Sequence, residues 1–212
     1  MNAFILAGGQ STRMGRDKAL VEFHGRPLIE HALEKLRRLG FSACIAGNRP
    51  DLVRYAAVIP DNQPASGPLA GIEASLAVSG DDLNLFLPVD LPLLPVEFLR
   101  WMVSRAVEIS PLATIPRLEG RPQPLCAVYH RALLPSARAL LAANNPKVMR
   151  AVENSASETR LGLDLFDVET VAAVLSPSAG WLSSPPVHRW FQNVNTPAEL
   201  ETTALEESPH IQ

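Results

Sequence analysis

Two cysteines, Cys44 and Cys126, are all that this chain of 212 residues carries. They lie far apart and outside any C-x-x-C pattern, which excludes a disulfide framework and a zinc site built from cysteine. Two buried thiols in a reducing compartment are the expectation. Histidine is sparse too. His24, His31, His130, His188 and His210 show no metal-ligand spacing and are expected at the surface or in packing roles. Basic charge is not in excess: 19 Lys and Arg face 22 Asp and Glu, for a formal net charge of -3. A dedicated nucleic-acid binder normally carries the opposite sign. No basic segment precedes the short apolar run at the N-terminus, so a signal peptide is not expected. The longest uncharged stretch, residues 170–187, is broken by Pro177, Pro185, Pro186 and several serines, which rules it out as a membrane span. A cytoplasmic protein with neither membrane nor nucleic acid as partner is expected.

What is present fits an ordinary packed domain. Hydrophobic residues make up 47% of the chain, and a chain of this length buries about 70% of its unfolded surface. Proline is over-represented, with 19 residues against the ~5% of an average chain. No G-X-Y period or P-x-x-P repeat organises the prolines, which excludes collagen and a polyproline tract.

The apolar pattern predicts strands at 3–7, 19–24, 41–46, 56–59, 83–89, 112–116 and 124–130, and a last one at 189–195. Leu28, Ile29, Ala32, Leu33, Leu36 and Leu39 recur at helical spacing between Pro27 and Gly40. Further helices are expected at 69–79, 95–108, 131–143, 146–153 and 197–206. Strands alternating with helices imply an α/β fold, a single Rossmann-like, doubly wound, mostly parallel sheet with helices on both faces. Residues 155–187 read as irregular, an insertion within a domain of residues 1–203, and residues 204–212 as a disordered tail.

In such a sheet, ligands bind beyond the carboxyl ends of the strands. The first of those loops is Leu6-Ala7-Gly8-Gly9-Gln10-Ser11-Thr12-Arg13-Met14-Gly15-Arg16-Asp17-Lys18. Gly8, Gly9 and Gly15 let the backbone turn closely around an anion, and Arg13 and Lys18 bring positive charge. The spacing matches neither a Walker A loop nor G-x-G-x-x-G, and an ordinary glycine turn remains the competing reading. Ser11 lies outside any G-x-S-x-G elbow, so a serine nucleophile is not supported. Asp90 follows a buried strand. A lone carboxylate beside phosphates suits Mg²⁺, which takes one or two protein carboxylates plus substrate oxygens. Asp61 also ends a strand, with a turn aspartate as its alternative. Pro60, Pro64, Pro68, Pro88, Pro92 and Pro95 cluster around these two aspartates. By fixing φ they are expected to hold both carboxylates in place before a ligand arrives.

Leu6-Ala7-Gly8-Gly9, Ser11-x-Arg13-Met14-Gly15-x-Asp17-Lys18 and Gly25-x-Pro27-Leu28 together resemble the N-terminal signature of the Gly-rich nucleotidyltransferase superfamily. Within it the chain is most similar to the molybdenum cofactor guanylyltransferases. Gly47-Asn48-Arg49, Asp61, Gly67-Pro68-Leu69-Ala70-Gly71, Pro88-Val89-Asp90-Leu91-Pro92, Gln123-Pro124-Leu125 and Asn193-Val194-Asn195-Thr196-Pro197 follow in family order. Ala7-Gly8-Gly9 replaces the Ala-Ala-Gly usual in cytidylyl-transferring relatives, and Asn193 and Asn195 stand where those relatives tend to carry an aspartate.

The resemblance implies transfer of GMP from GTP to the phosphate of a molybdopterin-type acceptor, with release of pyrophosphate. It implies Leu6, Ala7, Gly8, Gly9, Lys18, Asn48, Asp61 and Asp90 as nucleotide-binding residues, and Arg13, Lys18 and Asp90 as the catalytic set. Asp90 would hold Mg²⁺, and Gln123, Asn193 and Asn195 would face the acceptor. Proteins that deliver or receive the cofactor are implied partners. Two alternatives stay open: a related nucleotidyltransferase using CTP or another phosphate acceptor, of cytidylyltransferase or sugar-phosphate type, and a nucleotide-binding regulatory module. Trp181, Trp190 and Phe191 are expected in the core, with stacking on a pterin as the alternative.

Overall fold

The computed structural model describes residues 1–8, 17–63, 66–175 and 185–193. Its centre is β1 (Asn2–Leu6). Ala3, Ile5 and Ala7 point to one side, Phe4 and Leu6 to the other, and all five are buried. A strand apolar on both faces needs layers on both sides.

A small antiparallel hairpin, β2 (Glu22–Phe23) and β3 (Arg26–Pro27), follows. His24 and Gly25 close it, both at positive φ, the turn geometry that matches strand twist. Of the strand expected over 19–24, only this last part forms, because Lys18–Leu20 is a 3-10 turn. Then come α1 (Leu28–Arg38), β4 (Cys44–Ala46), β5 (Val58–Ile59), α2 (Pro68–Val78), β6 (Leu83–Pro88) and α3 (Val96–Ile109). The order continues with β7 (Ala113–Leu118), β8 (Arg121–Pro122), β9 (Ala127–His130), α4 (Leu134–Ala142), α5 (Val148–Glu158), β10 (Leu163–Asp167) and α6 (Val168–Leu175).

The main sheet runs β10-β7-β9-β6-β1-β4-β5, with β8 paired to β7. β1 is parallel to β4 and β6, β4 to β5, and β7 to β10. β9 runs against both β6 and β7. The sheet is mixed but mostly parallel, as the alternating pattern predicts. The reversal at β9 has a chain-length cause. Only residues 119–126 separate β7 from β9, whereas a parallel crossover needs about a dozen or more, usually a helix. β8 folds back from β7 through Glu119 and Gly120, both at positive φ.

Two apolar cores flank the sheet. One gathers Leu28, Ile29 and Leu36 of α1, Phe98, Leu99 and Met102 of α3, and Val168 of α6. The other gathers Leu69, Ile72 and Leu76 of α2 with Ala137 of α4 and Val152 of α5. α1 is amphipathic, but α2 is buried from Leu69 through Leu76, pressed between the sheet and α4.

The stretch expected to be irregular contains β10 and α6. β10 reads Leu-Asp-Leu-Phe-Asp and alternates in burial, but its two aspartates hide it from a search for apolar runs. Asp164 accepts two hydrogen bonds of 2.7 Å from Arg105 on α3, which is why a carboxylate is tolerated on that face. Residues 176–184 lie outside the described residues. The strand expected at 189–195 does not form over its described part: Val187–Arg189 is a 3-10 turn. Trp190 is 2% exposed and packs on Phe98 at 5.4 Å, its indole N–H donating to the Pro185 carbonyl at 2.7 Å. Anchoring that large side chain fixes the backbone in a turn. Trp190 and Phe191 therefore serve packing, as expected; Trp181, the helix expected at 197–206 and the tail lie outside the described residues. No helix among the described residues is long and apolar enough to cross a membrane.

Candidate functional site

The chain leaves β1 toward β4 and β5 on one side, then crosses back to add β6 on the other. That reversal opens a crevice beyond the carboxyl ends of β1 and β6, the usual ligand position in an open α/β sheet. A cleft of about 280 Å³ lies there. Leu6 at the end of β1, Ala7 and Gly8 just after it, Lys18, Asp61 and Asp90 all line it, so six of the residues predicted from sequence converge.

Close backbone approach shapes the floor. Gly47 has φ 129°, and a Cβ on it would lie 3.1 Å from both Cα and N of Gly8. The residue therefore has to be glycine for two independent reasons, conformation and contact. Gly47→Ala is expected to destabilise the protein by ~2–3 kcal/mol, lowering Tm by ~4–10 °C in a thermal melt, and to widen the gap between the β1 and β4 ends.

Lys18 and Asp90 meet across the cleft, Nζ to Oδ2 at 3.3 Å. Lys18 sits in the 3-10 turn whose first residue is capped by Asp17, its Oδ1 accepting from the Ala19 N–H at 3.0 Å. Asp90 stands two residues beyond Pro88, the end of β6, and its side chain is 15% exposed. The loop behind it is held by Lys35 on α1, which donates to the Pro92 and Leu94 carbonyls at 2.7 and 2.9 Å. The prolines are thus only part of that restraint. Pro88 ends β6, and Pro68 opens α2 rather than lying in a loop; Pro64 lies outside the described residues.

Asp61 faces the cleft from the β5 end. Its Oδ1 is buried and has no hydrogen-bond partner among the described residues. Burial pushes its carboxyl above the ordinary value. Gly71 of α2 packs beside it: a Cβ there would stand in ordinary contact with that oxygen, at 3.5 Å. Asn48 does not line the cleft. Its Oδ1 accepts the Asp61 N–H at 3.0 Å, so it holds the strand end that carries the carboxylate.

Gln123 also stays off the cleft wall, donating to the Arg121 carbonyl at 3.2 Å, while its neighbour Leu125 lines the wall. Asn193 is exposed and is not among the residues that line the cleft. Gly9, Arg13 and Asn195 lie outside the described residues.

Arg49, which belongs to the Gly47-Asn48-Arg49 segment but was given no role from the sequence, also lines the cleft. Arg49 donates to the Ala7 carbonyl at 3.0 Å, to Asp17 and to Asp51, tying the far end of the glycine loop to the β4 end. Its signal in the sequence was a cation two positions after a strand-ending glycine. Among the described residues no group of three or more His, Cys, Asp or Glu forms a metal cage. Cys126 is buried, its thiol pushed up to about 12, and Cys44 is half-buried; both are free.

This arrangement sets a cation, a carboxylate and a hydrogen-bond-seeking carboxylate around a glycine-floored crevice, which suits a nucleotide. Residues 3–159 match the MobA-like NTP transferase domain. The chain is 35% identical over 206 residues to the molybdenum cofactor guanylyltransferase of Aliivibrio salmonicida, covering 94% of this chain and 93% of that one. It is 33% identical over 201 residues to the enzyme of the same name from Photobacterium profundum, covering 93% and 92%. In fold it is similar to molybdopterin-guanine dinucleotide biosynthesis protein A from Archaeoglobus fulgidus, with a TM-score of 0.74, 24% identity, and 97% and 98% of the two chains covered. With that extent of match behind it, the chain belongs to the MobA-like NTP transferases, and among them to the molybdenum cofactor guanylyltransferase family.

Proposed function

We propose that this chain transfers GMP from GTP to the phosphate of a molybdopterin-type acceptor, forming the guanine dinucleotide and pyrophosphate. The observation that carries the reading is the meeting in one cleft, at the sheet's reversal point, of Lys18, Asp90 and an Asp61 carboxylate whose Oδ1 has no partner among the described residues. An oxygen of the acceptor phosphate attacks the α-phosphorus of GTP in line. The bond to the bridging oxygen breaks, and pyrophosphate carries away the electron pair. The nucleophile is already an anion, so no protein base is needed, and catalysis reduces to positioning and charge stabilisation.

Lys18 neutralises charge building on the phosphoryl group and on the leaving pyrophosphate. Arg13 is given the same task on its place in the glycine-rich motif. The backbone N–H of Gly8 and those of the glycine-rich segment that follows are assigned the phosphate oxygens, since the Ala7 N–H is taken by the Ala46 carbonyl at 3.2 Å. The donor set fits Mg²⁺ shared between protein carboxylate and the triphosphate better than a metal caged by protein alone, since among the described residues Asp90 belongs to no group of three or more His, Cys, Asp or Glu. Bound there by Asp90, Mg²⁺ would neutralise phosphate charge and orient the triphosphate. Asp61 accepts the N1–H and N2–H₂ donors of guanine. Gln123, Asn193 and Asn195 are assigned to the acceptor side on their places in the family motifs.

The test is pyrophosphate release from a panel of GTP, ITP, CTP and ATP with Mg²⁺ and molybdopterin. GTP is expected to turn over at least about a hundredfold faster than CTP at equal concentration, since a site built around the guanine donors leaves polar groups unpaired with cytosine. Release with CTP but not GTP would refute the base assignment. GTP binding without any turnover would favour a regulatory module.

A further inference from the structure

α2 carries a carboxylate where its surroundings forbid an unpaired one. Glu73 is 4% exposed in a helix whose residues Leu69 through Leu76 are all buried. A buried charge survives only with partners, and Glu73 has two. Its Oε1 accepts from Arg138 Nε of α4 at 2.8 Å, and its Oε2 accepts from the Asn62 side-chain amide at 2.8 Å. Arg138 is largely exposed, with a side chain 58% accessible, so its charge reaches water on one side and the carboxylate on the other.

Asn62 is the residue after Asp61. The short segment carrying Asp61 is therefore gripped at two points: Asn48 takes the Asp61 N–H, and Glu73 takes the Asn62 amide. Between them the Asp61 carboxylate projects against Gly71, its Oδ1 without a hydrogen-bond partner among the described residues. Stability alone would be served as well by an apolar residue at position 73, since replacing a buried ion pair with packed hydrophobic groups is often neutral or better.

We infer that Glu73 is a positioning residue for nucleotide selection: by holding Asn62 it fixes the direction in which Asp61 meets the base. The inference rests on the reading that Asp61 receives guanine. An aimed carboxylate accepts both guanine donors at once. A swinging one accepts them only after its segment is ordered, and that ordering is subtracted from binding energy. Glu73 acts before the chemical step and touches no reacting atom, so it governs KM and base preference, leaving kcat alone.

The experiment compares steady-state kinetics of the full chain with Mg-GTP and Mg-ITP, which lacks the N2 amino group, for Asp61→Asn, Glu73→Met, Glu73→Gln and Asn62→Ala. Glu73→Met is expected to raise KM for GTP about tenfold, with kcat within about twofold and a matching loss of preference for GTP over ITP. Asn62→Ala should behave the same way, and the double variant no worse than either single one, because both remove one interaction. Glu73→Gln should rescue: its oxygen still accepts from Arg138, and its amide donates to the Asn62 oxygen once that side chain turns over.

A folded Glu73→Met protein that keeps the wild-type ratio of GTP to ITP overturns the inference, as does one that loses kcat for both nucleotides alike. Should Glu73→Met fail to fold, Asn62→Ala, in an exposed loop, decides by the same criterion. Loss of the preference in Asp61→Asn but not in Glu73→Met or Asn62→Ala sinks the Glu73 inference alone. Equal use of GTP and ITP by the wild type sinks the reading of Asp61, and the inference with it.

Discussion

Asp90→Asn is expected to lower pyrophosphate release from GTP by ~10²- to 10³-fold, the usual loss when one preorganised charge at a phosphoryl-transfer site is removed. The substitution keeps shape and volume, and removes only the full negative charge. Two consequences separate a metal ligand from a mere partner of Lys18. The Mg²⁺ concentration needed for half-maximal rate should rise in Asp90→Asn and stay put in Lys18→Met, because only the first removes a ligand oxygen charge. Stability should barely move in either variant, since a partly exposed ion pair contributes about 0–1 kcal/mol. A melting curve with Mg²⁺ and GTP present should show the difference that the ligand-free protein hides, because ligand that binds the folded state alone raises its apparent stability. Unchanged turnover and unchanged Mg²⁺ dependence in Asp90→Asn would remove Asp90 from the metal role.

What could be read from the sequence follows from which interactions are local. β1, α1, β6 and α3 announce themselves because each buries a regular apolar period and stops at a glycine or proline. Asp61 and Asp90 were legible for a related reason: a charged residue within two positions of a strand's end sits at the sheet's carboxyl edge, whatever follows, and Lys18 was legible as a cation closing a glycine-rich segment. The direction of β9 was not carried by its apolar pattern, which is the same for parallel and antiparallel strands. It was carried by the shortness of residues 119–126, a signal of connection length. β10 escaped because its inward Asp164 looks solvent-facing until Arg105 arrives from α3, far away in the chain. The roles of Arg49, Lys35 and Glu73 escaped for the same cause. Each acts through a partner distant in sequence, Ala7 for Arg49, Pro92 for Lys35 and Arg138 for Glu73. Local periodicity holds no trace of such pairs.

Asp61→Asn is expected to give a protein that is more stable and less selective. The first half comes from burial. The Asp61 carboxyl titrates above its ordinary value of 3.8 because its ionised form is shielded from water, and its Oδ1 finds no donor among the described residues. Below that ordinary value the folded and unfolded chains are both protonated there, and no penalty exists. As pH rises from 3.8 through the raised folded value, the unfolded chain ionises first and stability is lost. Above the folded value the loss is complete, so it is fully present at neutral pH. Asparagine cannot ionise, so the variant should melt ~2–4 °C higher at pH 7, for about 1 kcal/mol of relieved desolvation. That gain should shrink to nothing when both proteins are melted below the ordinary carboxylate range. A gain independent of pH would trace it to packing instead. The second half comes from what the orphaned oxygen is for. A carboxylate accepts two donors from guanine, whereas an amide offers one acceptor and one mismatched donor. KM for GTP should rise about a hundredfold, in line with the ~2–5 kcal/mol lost when one partner of a buried charged hydrogen bond is removed, and the preference for GTP over ITP should vanish. Stability and selectivity move in opposite directions only if the unpaired carboxylate is kept for the ligand; a variant that melts higher and still prefers GTP would show that it is not.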